Sequence, residues 1–570
     1  MTKRLLLIGI ILLLLLSFFL RFYQLGAIPL GLNKDETAIG YNAYSILQTG
    51  KDEHGVSWPL YFKSFNDFKL PGYMYMTAIA EYLFGVNAFA VRFSSAFFGF
   101  IGIISLYFLV KVLSKRNDLA IVSALFLAFN PWQFFFSRTG FEVNVATSLI
   151  ITGSLFFVLA VKKKRNWMYA LLSIIAFGIA LYSYNVTRIF APFLLFALAI
   201  IYRDNVKKWS RFTKILSGFG SLLVITPFIL ALWNESGLVD QTSGVFLNGL
   251  ITQANHLEFR SYLINAPDIY AKLFFNSYML IAWEYSKNIV KSFSTDFFFF
   301  ASPKSVNGIA NHGLFYPFEA VTIAFGLYSA LKQRAAYMLY FSIWLAFGVL
   351  LISMTQEVPH PTRSFTQVVP LTVFSAFGAL ALWKFLDKLR HKKISIMART
   401  LALLIIFYSG LTYFTSYFYM FPTDKAILWR SEEAALVAEL QKYDSMYTKV
   451  IIDKKTDFAY TALAFYLKYD PNAYHKSTIY QPDGLLITAK TIGKYEFTEV
   501  DMEDLDTDPK TLYVITEDSY KEGAVVSKIY YPERPIVSVT DSGIISYPHK
   551  DTAYVLVAFK DKPISEDIVE

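Results

Sequence analysis

Up to about residue 421 the chain repeats one pattern: apolar runs close to 20 residues long, divided by short clusters of Lys and Arg. A helix of about 20 residues just crosses the hydrocarbon layer of a bilayer. Inside that layer every backbone amide must be paired within its own segment, which restricts such a chain to helices or a closed barrel. The runs are continuous rather than alternating, so the expectation is an all-α polytopic membrane domain. Composition agrees: 55% of residues are hydrophobic and 17% charged, against about 25% charged in soluble proteins. This excludes a soluble enzyme, a disordered chain and a fibrous repeat.

The basic clusters set the threading. Lys3 and Arg4 precede the first run, Leu5 to Leu20, which is too long and uniform for a signal peptide and lacks a small-residue cleavage site. It reads as an uncleaved span with its N-terminus in the cytoplasm. Every second loop should then be basic, and Lys111–Arg116, Lys162–Arg165, Arg203–Lys214, Lys332–Arg334 and Lys384–Lys393 fit. The loops between them, 21–90, 130–140, 183–188, 234–314 and 355–364, are short or mixed in charge, and random placement would rarely give that alternation. The implied spans are 5–21, 90–113, 118–136, 142–161, 167–183, 188–202, 214–233, 315–331, 335–354, 365–384 and 398–421. An odd number, eleven, puts the C-terminal region outside.

After Pro422 the texture changes. Residues 431–570 carry 15 basic and 25 acidic residues, net −10, whereas the first 430 carry +19. Ser431 to Lys442 has helical periodicity; 449–453, 512–516, 536–540 and 553–559 read as strands. The expected layout is a transmembrane domain over 1–425, with outer loops 21–90 and 234–314, and an extracytoplasmic soluble α/β domain over 426–570. The acidic run Asp501–Asp508 lacks the glycine of a calcium loop and reads as a solvated turn. The basic excess of the membrane portion reflects orientation and anionic lipid, not nucleic acid. Cysteine is absent, so there is no disulfide framework, thiolate metal site or cysteine nucleophile. No metal or other cofactor is implied.

Charged side chains near hydrocarbon are costly and mark function, and those of the outer loops are the candidates. Asp35, in Asn33-Lys34-Asp35-Glu36, is a potential general base and equally a helix N-cap; Glu36 beside it suits the helix dipole. Asp52-Glu53-His54 reads as a turn. Lys69, before Leu70-Pro71, either snorkels or partners a phosphate. Arg138 and Glu142 have the spacing of an ion pair. His360 and Arg363 begin a span from the outer side, where an arginine opposes the dipole and calls for an anion. Tyr41 and His312 are further site-lining candidates, His312 equally an interfacial histidine. A carboxylate pair and several cations are thus expected on one face of the membrane.

These residues are similar to those of the GT-C membrane glycosyltransferases, specifically glycosyltransferase family 39 with its protein O-mannosyltransferase and aminoarabinose transferase relatives. The resemblance is carried by Asn33 to Ala43, Lys69-Leu70-Pro71-Gly72-Tyr73, Phe84 to Arg92, Ser137 to Glu142 and His360-Pro361-Thr362-Arg363. It covers about residues 1–420. It implies transfer of a sugar from a polyprenyl-phosphate donor to an extracytoplasmic protein, lipid or glycan acceptor. Asp35, with Glu36, would be the catalytic carboxylate, and Lys69, Arg138 and Arg363 would hold the donor phosphate. Leu70 departs from the Lys-Pro-Pro element of the family. The Trp-Trp-Asp signature of the oligosaccharyltransferase branch is missing. The competing class is a polytopic transporter or lipid flippase, which would require inverted repeats and helices broken at midmembrane; a scaffold or receptor with a ligand-binding outer domain is a third.

Overall fold

A computed structural model describes residues 3–65, 67–163, 166–234, 268–274, 276–300, 307–309, 311–333, 335, 337–483, 486–501, 508–521, 524–540 and 543–559. Most of the long loop 234–314, the acidic run 502–507 and part of two basic clusters (Lys164, Arg165 and Arg334) lie outside the described residues. The chain divides into two compact units, Met1–Tyr23 with Ser95–Phe414, and Gln24–Ser94 with Thr415–Glu570.

The first unit is helical. Among the described residues, five helices are long and apolar enough to cross a membrane: Ala88–Ser114, Glu142–Lys162, Arg211–Leu230, Phe365–Asp387 and Lys392–Asp424. Asn117–Phe129 and Pro131–Ser137, bent by 58°, make a sixth if they form one span. That bend has a local cause: Pro131 cannot donate to the preceding turn, and Asn130 caps the second helix by accepting from the Gln133 amide at 3.0 Å. Ile8–Phe22, Asn166–Leu181, Thr187–Ile201 and Met338–Ser353 are shorter apolar helices. In lipid there is no hydrophobic drive between helices, so close approach through small residues takes its place. Gly326 and Gly378 supply it where Pro317–Gln333 meets Val368–Asp387: a Cβ at Gly326 would sit 1.9 Å from the Phe374 carbonyl oxygen, and one at Gly378 would sit 1.8 Å from that of Thr322. Beside this seam the buried Glu319 accepts from the Tyr316 amide (3.1 Å) and the Ser375 hydroxyl (3.1 Å).

The second unit joins the segment after the first span to the C-terminal region. Its centre is a seven-stranded sheet of order β4-β5-β6-β3-β7-β11-β8, built from β3 (Lys449–Asp453), β4 (Ile479–Asp483), β5 (Leu486–Ile492), β6 (Tyr495–Thr498), β7 (Thr511–Ile515), β8 (Ala524–Tyr530) and β11 (Thr552–Ala558). β3 runs parallel to both β6 and β7; the other pairings are antiparallel. The sheet is buried where it is most β-branched, at Ile515, Val555 and Val557. A hairpin of β9 (Arg534–Thr540) and β10 (Gly543–His549) stands beside it in the sequence. The loop segment contributes the Lys34–Thr49 and Pro71–Phe84 helices, with a hairpin between them of β1 (Phe62–Ser64) and β2 (Asp67–Lys69).

Polar and close contacts tie this segment to the C-terminal residues. Thr37 and Thr461 share a hydroxyl hydrogen bond of 2.8 Å, and His475 donates to the Asp52 carbonyl at 2.7 Å. Gly40 lies so near Phe465 that a Cβ would come within 2.3 Å of the ring.

Candidate functional site

Asp35 sits in the first turn of the Lys34–Thr49 helix. The N-cap is Asn33, not Asp35: its side chain accepts from the Asp35 (2.9 Å) and Glu36 (3.0 Å) amides, and Glu36 returns a bond to the Asn33 amide, completing a capping box. Asp35 is thereby released from capping, and its side chain keeps 42% of its exposure.

Lys69, the last residue of β2, reaches the same spot. Its ammonium, 6% exposed, lies 2.8 Å from Asp35 Oδ1 and 3.1 Å from Asp67 Oδ2. Burial pushes the Asp35 carboxyl up, but the charge and hydrogen bond of Lys69, with Lys34 behind them, outweigh it and hold the group below the usual carboxylate range. Asp35 is therefore a charged, partly open carboxylate at neutral pH.

Glu36 does something else. Its side chain is fully buried, with Arg92 Nε 2.9 Å from Oε1 and Nη2 3.0 Å from Oε2. Arg92, itself buried, also donates to the carbonyls of Leu25, Pro29 and Gly31 and lies 5.6 Å from the Trp429 ring. This bidentate pair fixes the strand of chain that leads into the helix. Both oxygens of the Glu36 carboxylate are thus taken up by Arg92 inside the fold, in contrast to the half-open Asp35. Tyr41 is likewise structural: it is fully buried, packs on Tyr474 at 4.9 Å and donates to the Tyr469 carbonyl at 3.3 Å. Asp52-Glu53-His54 forms the expected turn, with Asp52 Oδ1 accepting from the His54 and Val56 amides.

The other candidates belong to the first unit. Arg138 is fully buried and donates to the Leu20 (2.5 Å) and Arg21 (3.1 Å) carbonyls. It holds the end of the first helix, a duty the phosphate-binding expectation did not include. Arg21, which the sequence reading passed over, is also buried; it bonds Ser17, Gln133 and the Ala128 carbonyl. The two guanidiniums lie 5.6 and 5.8 Å from the one ring of Phe134. The spacing of Ser17 and Arg21 was the available signal. Arg363 is only partly covered: Nη2 lies 3.6 Å from Glu357, and the buried Nη1 has no hydrogen-bond partner among the described residues. His360 Nδ1 accepts from the Thr362 and Arg363 amides. Burial, and then Arg363, push this imidazole down to about 4, so it is neutral at physiological pH. Glu142 opens the Glu142–Lys162 helix, where a carboxylate suits the dipole. Burial raises the phenol of Tyr184, in the expected outer turn, and the charges of Arg363 and Glu142 act on it with opposite signs; this residue was missed. His312 stands edge-on to Tyr413 at 5.5 Å, and burial lowers its pKa, the interfacial role rather than a basic one. Among the described residues no group of three or more His, Asp or Glu could hold a metal.

Residues 69–232 match the model of the dolichyl-phosphate-mannose-protein mannosyltransferase family. ArnT from Cupriavidus metallidurans in the apo state is 12% identical, with TM-score 0.51 over 97% of each chain. The chain has the GT-C glycosyltransferase fold. The same ArnT bound to undecaprenyl phosphate gives 12% identity and TM-score 0.51 over 98% of each chain. The archaeal oligosaccharyltransferase AglB from Archaeoglobus fulgidus, in complex with an inhibitory peptide and a dolichol-phosphate, is 13% identical with TM-score 0.45; the match covers 80% of this chain and 63% of that one, so this GT-C chain spans less than two thirds of the AglB length. No curated protein matches the chain. With its GT-C fold and apolar helices, the protein is an integral membrane protein.

Proposed function

We propose that this protein transfers a sugar from a polyprenyl-phosphate donor to an acceptor on the extracytoplasmic side, with the N-terminus in the cytoplasm and the unit holding Asp35 outside. The observation that carries the reading is the Asp35–Lys69 pair: a charged, half-open carboxylate beside a desolvated ammonium, 2.8 Å apart. The fold and the undecaprenyl phosphate bound by ArnT support a lipid-phosphate donor.

In the reaction an acceptor hydroxyl oxygen bonds to the anomeric carbon, the bond from that carbon to the phosphate oxygen breaks, and Asp35 takes the hydroxyl proton. The polyprenyl phosphate leaves with the bonding pair and one more negative charge. Cations that bind it more tightly as that charge develops lower the barrier; Lys69 is assigned this role. Lys69 also keeps Asp35 ionised. That makes Asp35 a weak base in the ground state, effective once attack has made the hydroxyl acidic. Loss of one such contact costs on the order of 3 kcal/mol, about a hundredfold in rate.

The test uses membranes containing the full chain and a panel of polyprenyl-phosphate sugars. Asp35→Asn should cut donor consumption by about a hundredfold or more, with Lys69→Ala following. Undiminished turnover by a folded Asp35→Asn protein removes the carboxylate from the mechanism.

A further inference from the structure

We propose that the carboxyl end of β3 is a binding site for a neutral, polyhydroxylated ligand, a saccharide of at least two units, which serves as the acceptor. This rests on the transferase reading above and names its acceptor class.

In open sheets with parallel strands, ligands bind beyond the carboxyl ends where the chain leaves a strand toward neighbours on opposite sides. β3 is that strand here: β6 and β7, both parallel to it, flank it on its two sides. Its last residue, Asp453, is fully buried. Oδ1 accepts from the Lys455 (3.1 Å) and Val500 (3.3 Å) amides, while Oδ2 has no hydrogen-bond partner among the described residues. A buried carboxylate oxygen left bare is expensive and calls for a donor.

Asp453 lines a cavity of about 100 Å³ with Lys34, Phe65, Tyr460, Asp483 and Thr488. The charges decide what it takes. Its lining holds three carboxylates, Asp453, Asp457 and Asp483, against three cations, Lys34, Arg430 and Lys454, so neither an anion nor a cation is favoured, and no metal cluster forms among the described residues. What remains is an uncharged molecule rich in hydroxyl groups, which can donate to Asp453 and accept from Lys34. The aromatic walls suit the apolar face of a sugar ring. Phe65 and Tyr460, 4.8 Å apart, form one of them. Both also line a second cavity, of about 220 Å³, with His54 and Tyr480, whose rings lie 4.6 Å apart. A wall shared by two cavities is the reason for at least two saccharide units. Phe65 and Asp457, both lining the first cavity, hold non-glycine backbones at φ +54° and +51°, strain that gathers at binding sites. Lys34 is the chain neighbour of Asp35, so an occupant here is delivered beside the proposed base.

The test is saturation-transfer NMR on the full chain in detergent micelles, with no donor present. The probes are mannotriose, cellotriose and chitotriose, with a threonine-rich peptide as the rival. At least one trisaccharide should bind. Asp453→Asn, which keeps the shape and the Oδ1 acceptor, should weaken that binding about tenfold, and Thr488→Val should weaken it as well. Lys528→Ala, on the exposed edge strand β8, should leave it unchanged. Thermal midpoints show which variants are folded, and Thr488→Val decides the matter if Asp453→Asn is not. Failure of all three saccharides to bind, binding indifferent to the folded variants, or capture of the peptide alone overturns the assignment. A chain that consumes donor yet binds no saccharide ends this inference and leaves the transferase reading standing; one that binds saccharide but consumes no donor overturns the transferase reading, and the acceptor role with it, and leaves only a saccharide-binding site.

Discussion

Replacing Lys69 by methionine separates two jobs that the structure gives to one ammonium. Lys69 lies 2.8 Å from Asp35 Oδ1, and Asp35 is 42% exposed. At that distance two unit charges attract by about 1.5 kcal/mol at the dielectric constant of water and about 6 kcal/mol at an effective value of 20. With the carboxylate this open, screening keeps the interaction near the lower figure. The sign follows from the direction of the shift: Lys69 lowers the Asp35 pKa, the base works above that pKa, and activity is lost as pH falls through it. In the wild-type protein the acid limb of kcat/KM should lie below the usual carboxylate range. In Lys69→Met it should move up, because the charge and hydrogen bond that hold the carboxyl down are gone, while the plateau drops because a phosphate partner is gone. The assay is initial donor consumption between pH 3.5 and 8 in membranes. A lowered plateau with an unmoved limb would mean that Asp35 is not the group titrating in the rate, and the mechanism would have to be rebuilt around another base.

Three further outcomes follow from burial. Arg92→Leu strands the buried Glu36 carboxylate, and should cost about 3–5 kcal/mol, read as loss of folded protein on detergent extraction. Glu81, 3% exposed, has no hydrogen-bond partner at either oxygen among the described residues, and burial pushes its carboxyl up to about 9. Because the folded pKa is raised, its protonated form contributes stability that is complete below the unfolded value near 4.5 and fades as pH rises toward 9. Glu81→Gln should therefore flatten the fall in thermal midpoint between pH 5 and 9, and an unchanged slope would contradict that. Gly378→Ala pushes a methyl group to 1.8 Å from the Thr322 carbonyl oxygen; separating the two helices should cost at least ~1–3 kcal/mol, measurable as a lower midpoint in micelles.

Elements with a strong local signal were legible in the sequence. The Ser431–Lys442 helix and β3 have the bounds that periodicity expects, and β7, β9 and β11 lie within two residues of the predicted strands. The helices Tyr460–Leu467 and Pro471–Ser477 and the strands β4, β5, β6, β8 and β10 were not seen. They are short, and several draw their order from neighbours: β6 is a four-residue strand that exists because β3 and β5 flank it. Pairing across distance was equally hidden. Asp35 and Lys69 each stood out, but 34 residues separate them, and nothing local says that they touch. Glu36 read as a helix-dipole residue beside Asp35, and nothing local says that Arg92, 56 residues on, pairs with it. Arg138 and Arg21 show the same limit: an arginine at the end of a span reads as a lipid contact, and only the tertiary structure reveals carbonyls that occupy it. The cavity at Asp453 was invisible for a further reason, since it depends on strand order rather than on any run of residues.

The grouping of residues 24–94 with 415–570 has a temporal consequence. During synthesis the segment bearing Asp35 emerges more than three hundred residues ahead of Trp429, Thr461, Phe465 and His475, the partners that hold it. Until the ribosome reaches them, Gly31 lacks the Trp429 carbonyl and Gly40 lacks the Phe465 ring that each lies against. The last portion of the polypeptide thus completes work begun by the first, and a stop codon near residue 420 would leave the segment bearing Asp35 without the residues it packs on.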